Sequence, residues 1–459
     1  MVSKPLTLAL ACLALVVVGI GAHTFARAVL MHHHRTDVGA YFRAAWAVKT
    51  GHDPYAILDD RGWHYIYPPT PAILSAPFAL PPSGVTAGAG LPYAWSIVIW
   101  FALSLAAVCA GLHLLAEAIE ETSTSAVVRH PRRFGRRWWL LRIIPLSVAG
   151  FGIGNTLERG QVTGFLLLCV CGMTAALIRR RDRRAGAWLA AAIVIKIYPA
   201  YLLMQLVLLR RRRALLWCMI GLAVGLAVIP IGVMGLHRTL EGYASLGRLV
   251  LVPAFSGELN ASRMDYLDEA NGNISSFRIA LFRLAYPNPA FRPASAPAVF
   301  LLAHVYLSVL VTVITLWAAR PRLARPAVPD PIETTLLAGA LTVGLLPMIP
   351  LSRDHYFALA APLVLGLVAH VWDRRGRSDL GGRWPILFGV VALFSIVWEV
   401  PGFARLKDFQ PVVYDELLLW AAGVVAVSQR SETNLSFVRT SSGAKRADDP
   451  VLGAAAPRR

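Results

Sequence analysis

Long apolar runs, separated by short polar segments, dominate the chain. The runs lie at about residues 5–30, 92–118, 143–157, 161–178, 214–236, 298–319, 332–351, 355–372, 384–400 and 413–428. A helix of roughly 20 apolar residues crosses a bilayer core, and several runs reach that length. Inside a bilayer each segment must satisfy its own backbone hydrogen bonds, so the runs predict helices. The expected fold class is therefore all-α, a polytopic membrane protein. The longest polar interval, 237–297, is too short and irregular for a separate soluble core.

The polar segments are not alike. Arginine crowds into 129–142, 179–184, 210–213, 320–325, 374–383 and the tail from Arg430. With Lys4 these hold 29 of the 45 Lys and Arg residues. Basic loops stay in the cytoplasm, which places all of them on that side. The constraint decides two ambiguous segments. Residues 68–80 are apolar but short and rich in proline. If they crossed, 129–142 would land outside, so they dip in and return or pack along the boundary. Residues 186–209 have arginine clusters on both flanks. A hairpin broken near Lys196 and Pro199 keeps both clusters inside, and broken helices are tolerated where they line a cavity. About 12 crossings result, counting the short broken halves. An integral-membrane catalytic domain is expected over 1–429, with a first outer loop at 31–67 and a second at 237–297. Residues 430–459 read as a cytoplasmic, disordered basic tail.

The net charge of +19 invites a nucleic-acid partner. The arginines cluster between apolar segments, where they set topology, so no nucleic acid is expected. Hydrophobic residues make up 56% of the chain and charged ones 15%. The mean hydropathy of +0.56 agrees with a membrane protein. All five cysteines fall inside apolar runs and read as packed thiols. Residues 5–30 show no small-x-small cleavage site and read as a retained signal anchor.

Candidate chemistry begins at Asp37. A carboxylate at a membrane boundary is costly and usually functional. The following residues predict a short amphipathic juxtamembrane helix. Val38, Tyr41, Phe42, Ala45 and Trp46 share one stripe, with Arg43 and Lys49 off it. Lying flat on the membrane, it would hold Asp37 at the surface. The alternative for Asp37 is structural: Thr36 caps the helix and Asp37 favours its positive end. His32, His33 and His34 are consecutive and cannot all face one ion, so they read as an interfacial collar.

Four places resemble the GT-C superfamily of membrane glycosyltransferases, and within it glycosyltransferase family 87. They are Asp37 with Tyr41, Gly51, Asp53-Pro54-Tyr55 and Tyr67-Pro68-Pro69; Gly154-Asn155 through Gly160-Gln161; Lys196-Ile197-Tyr198-Pro199; and Asn273 with Ser275, Ser276 and Ser352-Arg353-Asp354-His355-Tyr356. The resemblance spans roughly 30–365. It implies a GT-C-like fold and inverting transfer of a sugar, mannose in the best-matching group, from a polyprenyl phosphate. It implies a carboxylate base in the first outer loop and no nucleotide sugar. The acceptor would be a lipid-linked or cell-envelope glycan on the outer face of a bacterial cell membrane. No metal and no cofactor beyond the lipid-linked donor are called for. Superfamily members often carry two acidic residues in that loop; here Asp53, Asp59 and Asp60 compete for the second role.

Residue by residue, Asp37 is the expected catalytic base, because inverting transfer must deprotonate the acceptor hydroxyl. Lys196, His355 and Arg353 are expected on the donor phosphate, where positive groups stabilise the leaving charge. Snorkelling is the alternative for Lys196, the only charge in its apolar stretch. Tyr41, Tyr55, Tyr67, Gln161 and Asn273 are candidate substrate contacts. Trp63, Tyr65 and Tyr67 would stack on a sugar or form an interfacial aromatic belt. Two rivals remain. A transporter or flippase of lipid-linked sugars would place its charges near the midplane in related halves, and no internal repeat is visible. A noncatalytic subunit would not need an acidic first loop.

Overall fold

A computed structural model describes residues 4–31, 36–252, 274–293, 296–323, 330–374, 388, 391 and 409–447. Among them every regular element is helical, with only isolated bridges besides. Seven helices are long and apolar enough to cross a membrane, and a bent pair makes an eighth. Apart from Phe388 and Val391, the expected span at 384–400 lies outside the described residues, as do His32–His34 and Asn273.

Contacts between helix ends sort the elements into two faces. Helix α1 (Lys4–Phe25) continues as a wider turn to Leu30, beside α2 (Val38–Thr50) and the short α3 (Pro69–Leu74). Helix α4 (Tyr93–Thr122) starts near Asp37, where the Trp100 indole donates to the Gly160 carbonyl at 2.7 Å. It ends among arginines. Glu120 receives a two-pronged bond from Arg142 at 2.7 and 2.9 Å, and Arg179 reaches Glu117 and Glu121. From there α5 (Arg136–Val148) and α6 (Gly150–Arg159), bent by 68°, run back to the Asp37 end. Helix α7 (Thr163–Ile178) returns to the arginines.

The segment around Lys196 is broken as the basic flanks require. Helix α8 (Asp182–Ile195) ends at Lys196, whose backbone is extended. A tight turn at Tyr198–Leu202 and α9 (Leu203–Leu208) follow, then α10 (Arg212–Ala223). Helices α8 and α10 run parallel: Gly186 abuts Ala214 and Cys218, Gly221 abuts Ala190, and Gly225 abuts Val194. Arg211 lies 3.6 Å from Asp182. Both arginine clusters therefore sit at one end and Lys196 at the other. Residues 68–80 do not cross. Helix α3 has six residues, Thr70 donates to the Gly225 carbonyl, and the Leu80 amide returns to the Phe42 carbonyl at 3.0 Å.

The remaining helices keep the pattern. These are α11 (Ile229–Met234), α12 (Leu236–Leu246), α13 (Phe277–Ala285), α14 (Ala298–Leu323), α15 (Pro331–Leu345), α16 (Ala361–Arg374) and α17 (Pro411–Ala447). Arg430 of α17 joins Asp330 and Asp373 at 2.6 Å each, on the arginine face. The main core lies between α4, α7, α8, α15 and α16. Helix α1 is largely exposed, as a lipid-facing helix should be.

Two expectations change. Helix α2 does not lie flat with one wet face: Val38 through Ala47 are all buried, Arg43 included. The loops after it fold over its polar side, so Arg43 donates to Asp60 at 2.6 Å and the Trp46 indole to the Ala87 carbonyl at 2.8 Å. Beyond Arg430, α17 continues to Ala447, so the described part of the tail is helical rather than disordered. Extending a formed helix costs far less than starting one.

Candidate active site

The Asp37 end holds a partly open pocket, about 660 Å³ with the solvent space at its mouth included. Three elements meet there: the start of α2, the end of α6, and the tight turn Asp354–Ala360 that leads into α16. Each is fixed by a specific local device. The Asp37 amide donates to the Arg159 carbonyl at 3.0 Å. Gly160 has φ 65°, and a methyl there would press on Val38 at 2.8 Å. Thr156 donates to the His355 carbonyl at 3.1 Å, and Gly152 lets α6 touch the backbone at Phe357 and Ala358. Ile274 bridges Arg353, and the Ser275 amide bonds the Ser352 carbonyl at 2.8 Å.

Asp37 is the one carboxylate among the residues lining this pocket. It precedes the first residue of α2, at that helix's positive end, and its side chain makes no cap bond. Instead Gln161 Nε2 donates to Asp37 Oδ2 at 2.5 Å. The Tyr41 hydroxyl lies 2.9 Å from Gln161 Oε1 and 2.9 Å from the Tyr67 hydroxyl. Burial pushes both phenols well above the usual tyrosine range, so they stay protonated donors. Arg61 stands 3.7 Å from the other Asp37 oxygen.

Two arginines and a buried histidine share the pocket with the carboxylate. Arg353, Arg159 and His355 line the pocket, and the Arg353 guanidinium stands 5.6 Å from the centre of the Trp63 ring. Burial lowers the Arg353 pKa while the charge of Asp37 opposes it; a guanidinium stays charged regardless. His355 is buried, and its Nε2 has no hydrogen-bond partner among the described residues. A buried ring nitrogen of this kind needs a partner, whether a water or a ligand. Lys196 is buried one layer back. It donates to the Tyr356 hydroxyl at 3.0 Å and sits over the Tyr356 and Tyr67 rings, at 4.3 and 4.9 Å. That geometry excludes a lysine snorkelling to solvent.

The structure thus gathers Asp37, Tyr41, Tyr67, Gln161, Arg353 and His355 on one cavity, with Trp63, and puts Lys196 behind its wall. Tyr55 is not brought there. Its hydroxyl donates to the Tyr67 carbonyl at 2.8 Å, which makes it a prop for Tyr67. Tyr65 is likewise spent on the Pro68 carbonyl, at 2.6 Å. The competing acids also have structural work. Asp53 bonds the Tyr55 amide at 2.9 Å; Asp59 accepts from the amides of Arg61 and Trp63; Asp60 pairs with Arg43. Burial raises the Asp59 pKa against those amide bonds. Arg159 and His64 were not singled out in the sequence. Arg159 stands between the Gly154-Asn155 and Gly160-Gln161 pairs, which was the available signal.

Residues 65–348 match the sequence model of glycosyltransferase family 87. The match covers more than half of the chain, so this protein belongs to that family. No curated protein matches the chain. Membership sets it among glycosyltransferases rather than transporters or noncatalytic subunits. Asp37, Tyr41, Arg353 and His355 lie outside the matched stretch, so their roles rest on the geometry.

Proposed function

We propose that this enzyme transfers a sugar, mannose by the resemblance, from a polyprenyl phosphate to a glycan or glycolipid acceptor, with inversion, at the Asp37 face. The observation that carries the reading is that one carboxylate, two arginines and a buried histidine line a single pocket. Asp37 takes the proton of the acceptor hydroxyl as its oxygen attacks the anomeric carbon. The bond from that carbon to the phosphate oxygen breaks, and the polyprenyl phosphate leaves with the electron pair. Arg353, Arg159 and the free Nε2 of His355 receive the growing phosphate charge, which preorganised donors stabilise most in the transition state. Lys196 adds positive potential through the ring wall of Tyr67 and Tyr356. The outer side of a bacterial cell membrane is the proposed location of this face, since the arginine clusters occupy the other end.

A double-mutant cycle on turnover of polyprenyl-phosphate-mannose tests the phosphate assignment. Arg353→Gln and His355→Ala should each lower kcat/KM by roughly 10²–10³-fold. Sharing one phosphate, they should together lose less than the product of the single effects. Full multiplicativity would assign them to separate sites, and a silent Arg353→Gln would remove that residue from donor binding.

A further inference from the structure

At the arginine face, far from Asp37, a second cavity of about 500 Å³ opens between α4, α7 and α8. Its two long walls follow helical stripes. Gly172, Ala175, Ala176 and Arg179 lie along α7; Arg184, Ala187 and Trp188 lie along α8, below Arg181. Small residues therefore line the depth and arginines the mouth. Gly172 is seven residues from Arg179, about 10 Å along a helix, so the apolar part reaches well into the bilayer. At that depth the Trp188 ring lies flat on Gly172, where any side chain would meet it at 2.7 Å. The mouth carries uncommitted charge. Arg179 is held by Glu117 and Glu121, and Asp182 faces Arg211. Among the described residues Arg181 and Arg184 form no ion pair, and both are exposed.

We infer that this cleft binds an anionic phospholipid of the bilayer, its phosphodiester on Arg181 and Arg184 and an acyl chain along Ala175, Ala176 and the outer face of the Trp188 ring. Charge and depth select this occupant. A basic pocket between membrane helices suits an anionic lipid headgroup. A free phosphate would use the mouth and leave the apolar depth empty, and a zwitterionic lipid, with the same phosphodiester, would bring its own cation against both arginines. The site lies at the opposite end of the molecule from the catalytic pocket and shares no residue with it.

Native mass spectrometry of the purified full-length protein, with dioleoyl phosphatidylglycerol as probe, tests this. Wild type should retain phosphatidylglycerol in preference to phosphatidylcholine of the same chains. Charge near a membrane surface contributes about 1 kcal/mol per arginine, so Arg181→Gln with Arg184→Gln should weaken retention about thirtyfold. Ala187→Trp, at an exposed cleft position, keeps both arginines and fills the groove; it should abolish retention as well. Unchanged thermal midpoints of the lipid-free variants would show that each still folds. Equal binding of the two lipids, undiminished retention by either variant, or full displacement by inorganic phosphate would overturn the proposal.

Discussion

Gln161 shows how a single residue orders the site. Both ends of its amide are engaged, one on Asp37 and one on the Tyr41 hydroxyl. We propose that it aims the carboxylate, besides lining the pocket as a candidate substrate contact. Replacing it by leucine should lower kcat up to about 100-fold, as misplacing a catalytic group does. The KM for the donor should stay nearly unchanged, because the phosphate wall is untouched. Steady-state kinetics separate the two: a raised donor KM at normal kcat would make Gln161 a binding residue after all. Asp37, Arg353 and His355 were legible in the sequence because charge at a span boundary is conspicuous. Tyr55 was misplaced because a tyrosine beside a motif looks the same whether its hydroxyl faces substrate or a backbone carbonyl. Asn273 lies outside the described residues.

At the scale of elements, the break at Lys196 was legible, because arginine clusters flank the apolar stretch on both sides and a single crossing would put one of them outside. What the sequence could not reveal is the parallel contact that holds α8 in place. Gly186 lets α8 rest on the backbone of α10; a methyl there would overlap the Ala214 carbonyl and lie 2.7 Å from the Cys218 amide nitrogen. Small residues at helix contacts do this work in membranes. Gly186→Ala should cost about 1–3 kcal/mol, the usual penalty of overpacking. A thermal melt in detergent should show a lower midpoint, and an unchanged midpoint would mean that the two helices do not pack so closely. Helix α2 was misread for the opposite reason. Its stripe and off-stripe arginine fit a surface helix, and only the folding of residues 53–90 over it buries both faces.

Over the whole molecule, the alternation of basic and catalytic ends is the feature most fully legible in the sequence. Apolar runs set the spans and arginines set their direction. Cysteines introduced at 157–160 should react with a membrane-impermeant reagent added from outside, and cysteines at 180–184 or 210–213 should not. External labelling of either arginine cluster would reverse the assignment of faces. The central claim is narrower: the carboxylate on the pocket performs the transfer. Its most direct test is turnover of polyprenyl-phosphate-mannose by the purified Asp37→Asn protein against wild type. Asparagine keeps the size and an acceptor for Gln161 but cannot take a proton. The account predicts intact folding with turnover lowered by roughly 10²–10⁴-fold; wild-type turnover by Asp37→Asn would contradict it.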